Sequence, residues 1–119
     1  MRIVLLHLLP AAALLMTGCY YDNEEELYPN TFCDTTAVTW SLTIEPLIQS
    51  ECAVSSCHVS GAQLPDLSTY TGVKAVADDG RLRGVTIEGD PFFMPSSGKL
   101  SFCRQQAIQA WLDAGAPNN

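Results

Sequence analysis

Apolar positions recur at helical spacing in three separated stretches of this chain. In the first, Ile44, Leu47, Ile48 and Cys52 share one face of a helix expected to start at Thr43, which can cap it, and to tolerate Pro46 in its opening turn. In the second, Asp66 or Ser68 can cap a helix running to about Ala77, with Tyr70, Val73 and Val76 or Ala77 turned inward and Gly80 as its stop. The third is the clearest: starting at Ser101, the positions Cys103, Ala107, Ile108, Trp111 and Leu112 form one stripe, ended by Gly115 and Pro117. Trp111 is expected to pack this last helix against the first. Residues 81–98 are rich in glycine and proline and have no helical period. They nevertheless contain Leu82, Val85, Ile87, Phe92 and Phe93, too apolar for a free loop, so they either close a small core or wrap a ligand. The expected fold is all-α, with three to four short helices and long loops.

The start of the chain carries a different pattern. Arg2 precedes an apolar run from Ile3 to Leu15, broken by His7 and Pro10, and Leu15-Met16-Thr17-Gly18-Cys19 closes it with small residues before a cysteine. The run is shorter than a membrane span requires. Residues 1–18 are therefore expected to be a secretory signal, and their end resembles a bacterial lipobox with Met16 where leucine is commonest. That resemblance makes Cys19 the lipidated first residue of an exported protein, anchored to a bacterial membrane and facing the periplasm or cell surface. A soluble secreted protein that loses Cys19 with its leader is the other reading. Residues 19–40 then form an acidic tether and residues 41–119 one small domain.

Charge narrows the partners. All thirteen acidic residues lie beyond residue 18, and Asp22, Glu24, Glu25, Glu26 and Asp34 crowd the arm; the whole chain has net charge −7. From Ser41 onward eight acids face five bases. Such a balance argues against nucleic-acid binding and against an anionic lipid surface.

A domain this small buries little surface per residue and usually needs a staple or a cofactor. The stretch Cys52-Ala53-Val54-Ser55-Ser56-Cys57-His58 offers one: two cysteines able to form thioethers to haem vinyl groups, then a histidine able to ligate iron. The spacer has four residues, longer than in the usual Cys-x-x-Cys-His. The same residues are open to a Cys52–Cys57 disulfide with a bystander His58. They are also open to a zinc site recruiting Cys33, Cys52, Cys57 and His58 or Cys103. Beyond residue 18 the chain holds one histidine, His58, and one methionine, Met94. If a haem iron takes two protein ligands in the common way, Met94 is the sixth ligand. Pro95 favours an extended Met94, as suits presentation from a loop, and Phe92 and Phe93 add an apolar wall; a lone methionine is also an ordinary core filler. Lys74, Arg81, Arg83 and Tyr70 are candidates for the haem propionates and equally ordinary surface residues. No serine or cysteine has a second imidazole to activate it, so hydrolytic catalysis is not expected.

The order helix, Cys–Cys–His, loops, Met–Pro, terminal helix resembles class I cytochrome c over roughly Ser41 to the end. It is similar in more detail to small exported bacterial cytochrome-c-like lipoproteins. The matching stretches are Cys-Asp-Thr-Thr at 33–36, Leu-Ser-Thr-Tyr at 67–70 followed by Val-Lys-Ala at 73–75, Met94-Pro95, and Trp-Leu-Asp-Ala-Gly-Ala-Pro-Asn-Asn at 111–119. The resemblance implies a cytochrome-c-like domain around one covalent haem c. Cys52 and Cys57 are then its thioether positions, His58 the proximal ligand and Met94 the distal one. It implies one-electron transfer between redox partner proteins rather than enzymatic catalysis, by a free carrier or by a haem subunit of a larger oxidoreductase. With Cys19 lipidated and Cys52 and Cys57 on haem, Cys33 and Cys103 remain and are expected to pair as a disulfide. The alternative function is a haem-free lipoprotein stapled by Cys33–Cys103 and Cys52–Cys57 disulfides, serving as a binding or structural module.

Overall fold

The computed structural model describes residues 32–119, so the expected signal, Cys19 and the arm through residue 31 lie outside the described residues. The first helical element begins at Thr39, ahead of the expected cap Thr43. Thr39 is extended (φ −123°, ψ 161°) and its hydroxyl accepts from the Leu42 N–H. A π-helical turn, Trp40–Ile44, follows, and the Glu45 N–H reaches back to the Trp40 carbonyl across five residues. The chain then tightens into α1, Glu45–Glu51, with Pro46 in its first turn as expected. Trp40, Ile44, Leu47 and Ile48 are all buried, at the i, i+4, i+7 and i+8 spacing of one helical face. Asn119 closes the same end: its side-chain oxygen accepts from the Trp40 N–H at 2.8 Å and its main-chain oxygen from Ser41 at 3.0 Å.

Helix α2, Tyr70–Asp78, is capped by Thr69 rather than by Asp66 or Ser68. Asp66 is used one turn earlier, where its carboxylate accepts from the Ser68 N–H at 2.9 Å. Val73 and Val76 are buried, Tyr70 and Ala77 are partly so, and Gly80 takes the left-handed conformation (φ 83°) that stops the helix.

The segment after Gly80, expected to lack regular structure, is helical in its first half. Helix α3, Arg81–Arg83, runs directly into a second π-helical turn, Gly84–Glu88. Glycines at 80, 84 and 89 break up the apolar pattern along this stretch and hide its helical character in the sequence. Its interior polar groups are paired: the buried Thr86 hydroxyl donates to the Leu82 carbonyl at 2.6 Å, and Gln105 Nε2 donates to the Thr86 carbonyl at 2.6 Å.

Helix α4, Phe102–Asp113, follows its expected bounds, with Ser101 at its start. At its end the Ala116 N–H bonds back to the Trp111 carbonyl and Gly115 has φ 87°. Trp111 is fully buried and packs on Trp40, ring centroids 5.6 Å apart, while Trp40 meets Tyr70 edge-on at 5.2 Å. The last helix thus does pack against the first through Trp111. With Ile44, Ile48, Val73 and Ile108 at zero exposure, each worth roughly 1.5–3 kcal/mol of burial, these residues form the core. The fold is all-helical, with no strand among the described residues. Cys33 and Cys103 form the expected disulfide.

Candidate functional site

The last turn of α1 delivers Cys52 to the interior, where 7% of it is exposed. The chain then doubles back. The Cys57 N–H donates to the Val54 carbonyl at 2.9 Å and the His58 N–H to the Cys52 carbonyl at 3.1 Å, so the four-residue spacer is folded as a closed turn. Ser56 supports that turn in the left-handed region (φ 68°), a strained position for a residue with a side chain. The following loop is fastened to the motif by Gln63 N–H to Cys57 O at 3.0 Å and Leu67 N–H to His58 O at 2.8 Å. His58 Nδ1 lies 2.9 Å from the Pro65 carbonyl. A carbonyl only accepts, so Nδ1 is the donor in this contact and Nε2 is not engaged by it.

Cys52, His58 and Met94 line one cavity of about 210 Å³. The loop around the motif contributes Leu64, Pro65 and Leu67, helix α2 contributes Val76, and α3 with its π-helical extension contributes Arg81, Leu82, Val85 and Thr86. Met94 comes from the loop after Gly89, and its backbone is pinned to that extension by an N–H bond to the Val85 carbonyl at 2.8 Å. Phe92 also lines the wall. Cys57 does not; it is half-buried on the spacer turn, and Trp111 lies in the core away from the cavity lining. A second, more open cavity of about 390 Å³ adjoins the first, sharing Leu64, Pro65, Val76 and Arg81 with it.

Of the four candidate polar contacts for a ligand's carboxylates, only Arg81 reaches the lining, and there it already pairs with Asp79 at 2.7 Å. The others are engaged elsewhere. Lys74 pairs with Asp78, Arg83 donates to Gln109 and Asp113 at 2.6 Å each, and the Tyr70 hydroxyl donates to the Ala116 carbonyl at 2.9 Å.

Cys52 and Cys57 are free thiols, so the second staple of the haem-free alternative is not formed. Burial, helped by the negative charge of Glu51 and by Cys57, pushes the Cys52 thiol up to about 11 and keeps it neutral. The zinc constellation is also dismantled: Cys33 and Cys103 are tied to each other, and no group of three or more His, Cys, Asp or Glu side chains gathers among the described residues.

These residues fit a haem in chemistry: an oriented imidazole, a neutral thioether sulfur, a nearby thiol and apolar walls. In size the first cavity falls short of the roughly 300–1,000 Å³ that larger ligands occupy. A large planar ligand therefore has to extend past Leu64, which is 88% exposed, toward the adjoining cavity. Of the apolar residues that the sequence offered as closing a core or wrapping a ligand, Leu82, Val85 and Phe92 line the wall and Ile87 and Phe93 do not, while sequence reasoning missed Leu64 and Thr86. Thr86 stands four residues after Leu82, a helical spacing, but as a polar residue it gave no apolar signal.

Comparison with models of known families, with curated proteins and with solved structures finds no match.

Proposed function

We propose that residues 41–119 form a class I cytochrome-c-like domain binding one covalent haem c, and that the protein is an exported, lipid-anchored electron carrier or the haem subunit of a larger oxidoreductase. The observation that carries this reading is the convergence of His58 and Met94 on one apolar cavity wall with Cys52. They are the one histidine and one methionine beyond the expected leader, and nothing about core packing requires them to meet there.

When bound, the haem supplies an Fe(III)/Fe(II) couple for one-electron transfer. The chain's own residues do the rest. The Pro65 carbonyl holds the His58 ring by its Nδ1–H and aims Nε2 as the proximal donor. Met94, on a loop pinned to Val85, presents a soft, uncharged sulfur that favours the less charged ferrous state. Leu67, Val76, Leu82 and Val85 exclude water from the iron's surroundings. Cys52 and Cys57 supply the two sulfurs for thioether attachment, the first from inside the cavity and the second from the adjoining turn.

The test is the absorption spectrum and pyridine haemochrome of the mature protein, made in a cell equipped for c-type haem attachment. One haem per chain that survives denaturation is expected, and its loss in the Cys52→Ser/Cys57→Ser double variant. A folded, colourless wild-type protein refutes the reading.

A further inference from the structure

Two large apolar side chains stand exposed beside the Cys33–Cys103 disulfide. Phe32 is 82% exposed and directly precedes Cys33; Phe102 is 46% exposed and directly precedes Cys103. The cross-link brings the two Cα atoms of the cysteines to 5.2 Å, and the Phe32 carbonyl lies 3.8 Å from the Cys103 sulfur. Neither phenylalanine lines the cavity or belongs to the core. The cross-link thus places two exposed aromatic residues next to one covalent junction, and exposed apolar groups near one another are candidates for a contact surface.

We infer that this disulfide face rests on a zwitterionic lipid surface, with Phe32 and Phe102 inserted at the interface. The inference rests on the reading of Cys19 as lipidated. Residues 20–31 join Cys19 to Phe32. Fully extended, that arm spans on the order of 40 Å, which sets the farthest that Phe32 can stand from the anchor; Phe32 is the described residue nearest to Cys19 along the chain. The disulfide then fixes the start of α4 at the same point. Acyl chains on Cys19 suffice for attachment, so the aromatic pair acts on orientation rather than on anchoring. Charge selects the lipid: Asp22, Glu24, Glu25 and Glu26 on the arm and the exposed Asp34 beside the patch disfavour an anionic headgroup layer. The domain is thereby docked through residues that the cavity does not use.

The test uses the full lipidated chain with single Phe32→Trp, Phe102→Trp or Leu42→Trp substitutions, each reconstituted in phosphatidylcholine vesicles with plain or brominated acyl chains. Leu42 is also 82% exposed, but it lies on the first helical turn and serves as the control. The native Trp40 and Trp111 are 5% and 0% exposed and give a constant background. Expected are a blue shift and about a twofold quenching of the introduced tryptophan at positions 32 and 102, as interfacial insertion requires, with position 42 unchanged. Lipid-bound protein with no quenching at 32 and 102, or with equal quenching at all three positions, overturns the inference. A blue shift at 32 without vesicles and no quenching with them means that the arm or another protein covers the patch, and overturns it too. Protein whose mass shows no lipid and which does not float with vesicles overturns the lipidation reading itself, and the inference with it.

Discussion

The carbonyl of Pro65 can only accept, so its 2.9 Å contact with His58 engages Nδ1 as the donor and orients the ring, leaving Nε2 as the nitrogen proposed for the iron. No comparable bond orients the Met94 side chain; only its backbone is fastened, to Val85. The two proposed ligands should therefore respond differently to change. On the proposed reading, in which Cys52 and Cys57 carry the haem, Met94→Ala should keep it covalently bound while the sulfur-to-iron absorption band disappears; an unchanged band excludes Met94 as the ligand. Cys52 makes a separate prediction for the haem-free protein. Its thiol is raised by burial from 9.0 to about 11 in the folded state. Above about pH 9 the unfolded chain releases this proton while the folded chain keeps it, so the stabilisation is complete below that pH and is lost as pH rises toward 11. The loss amounts to about 3 kcal/mol at most. Urea unfolding of the haem-free protein and of its Cys52→Ala variant, at about pH 8 and about pH 11, should show the extra loss only where Cys52 is present.

The elements were legible where burial alone sets the spacing. Ile44, Leu47, Ile48 and Cys52 repeat at helical intervals because one face of that helix meets the core, and all four are buried. Legibility failed where a backbone irregularity or a local hydrogen bond decided the outcome. Thr43 is the cap expected for the first element, but the element begins earlier, with a π-helical turn, and Thr39 caps it. Gln105 is buried among apolar neighbours because the Thr86 carbonyl needs a donor, a demand invisible until α4 and the π-helical turn are placed side by side. The candidate site was readable in part: chemistry named Cys52, His58 and Met94, and the excess of apolar residues in a loop-like stretch named Leu82, Val85 and Phe92, while the polar Thr86 and the exposed Leu64 gave no such signal. A close approach at α2 is testable. A Cβ at Gly72 would run into the backbone carbonyl oxygen of Asp66, so the loop carrying Pro65 sits directly against the first turn of α2. Helix propensity alone would make Gly72→Ala stabilising by up to about 1 kcal/mol. The clash reverses the sign, to a loss of about 1–3 kcal/mol, measured by urea unfolding. Because Pro65 also orients His58, Gly72→Ala should disturb the cavity as well as the stability; a stabilised variant would contradict the packing.

Across the whole molecule, the Cys33–Cys103 disulfide encloses every helical element up to the start of α4, with a sequence separation of 70. Among the described residues the salt bridges Lys74–Asp78, Arg81–Asp79, Arg83–Asp113 and Arg104–Glu51 lie on exposed or half-exposed side chains and contribute between about 0 and 1 kcal/mol each. They cannot replace a covalent closure of that length, which the chain-entropy treatment values at about 4 kcal/mol. The double variant Cys33→Ser/Cys103→Ser should therefore lose about 4 kcal/mol of unfolding free energy, read from denaturant midpoints of wild type and variant under the same conditions. A loss well under about 1 kcal/mol would mean that the unfolded chain is already constrained without the bond. Haem content supplies the second readout. Neither cysteine of this bond lines the cavity, so folded double variant should still take up one haem per chain through Cys52 and Cys57. If haem uptake fell in variant that remained folded, the cross-link would be shaping the binding site and not only restraining the unfolded chain, because its entropic action ends once the fold has formed.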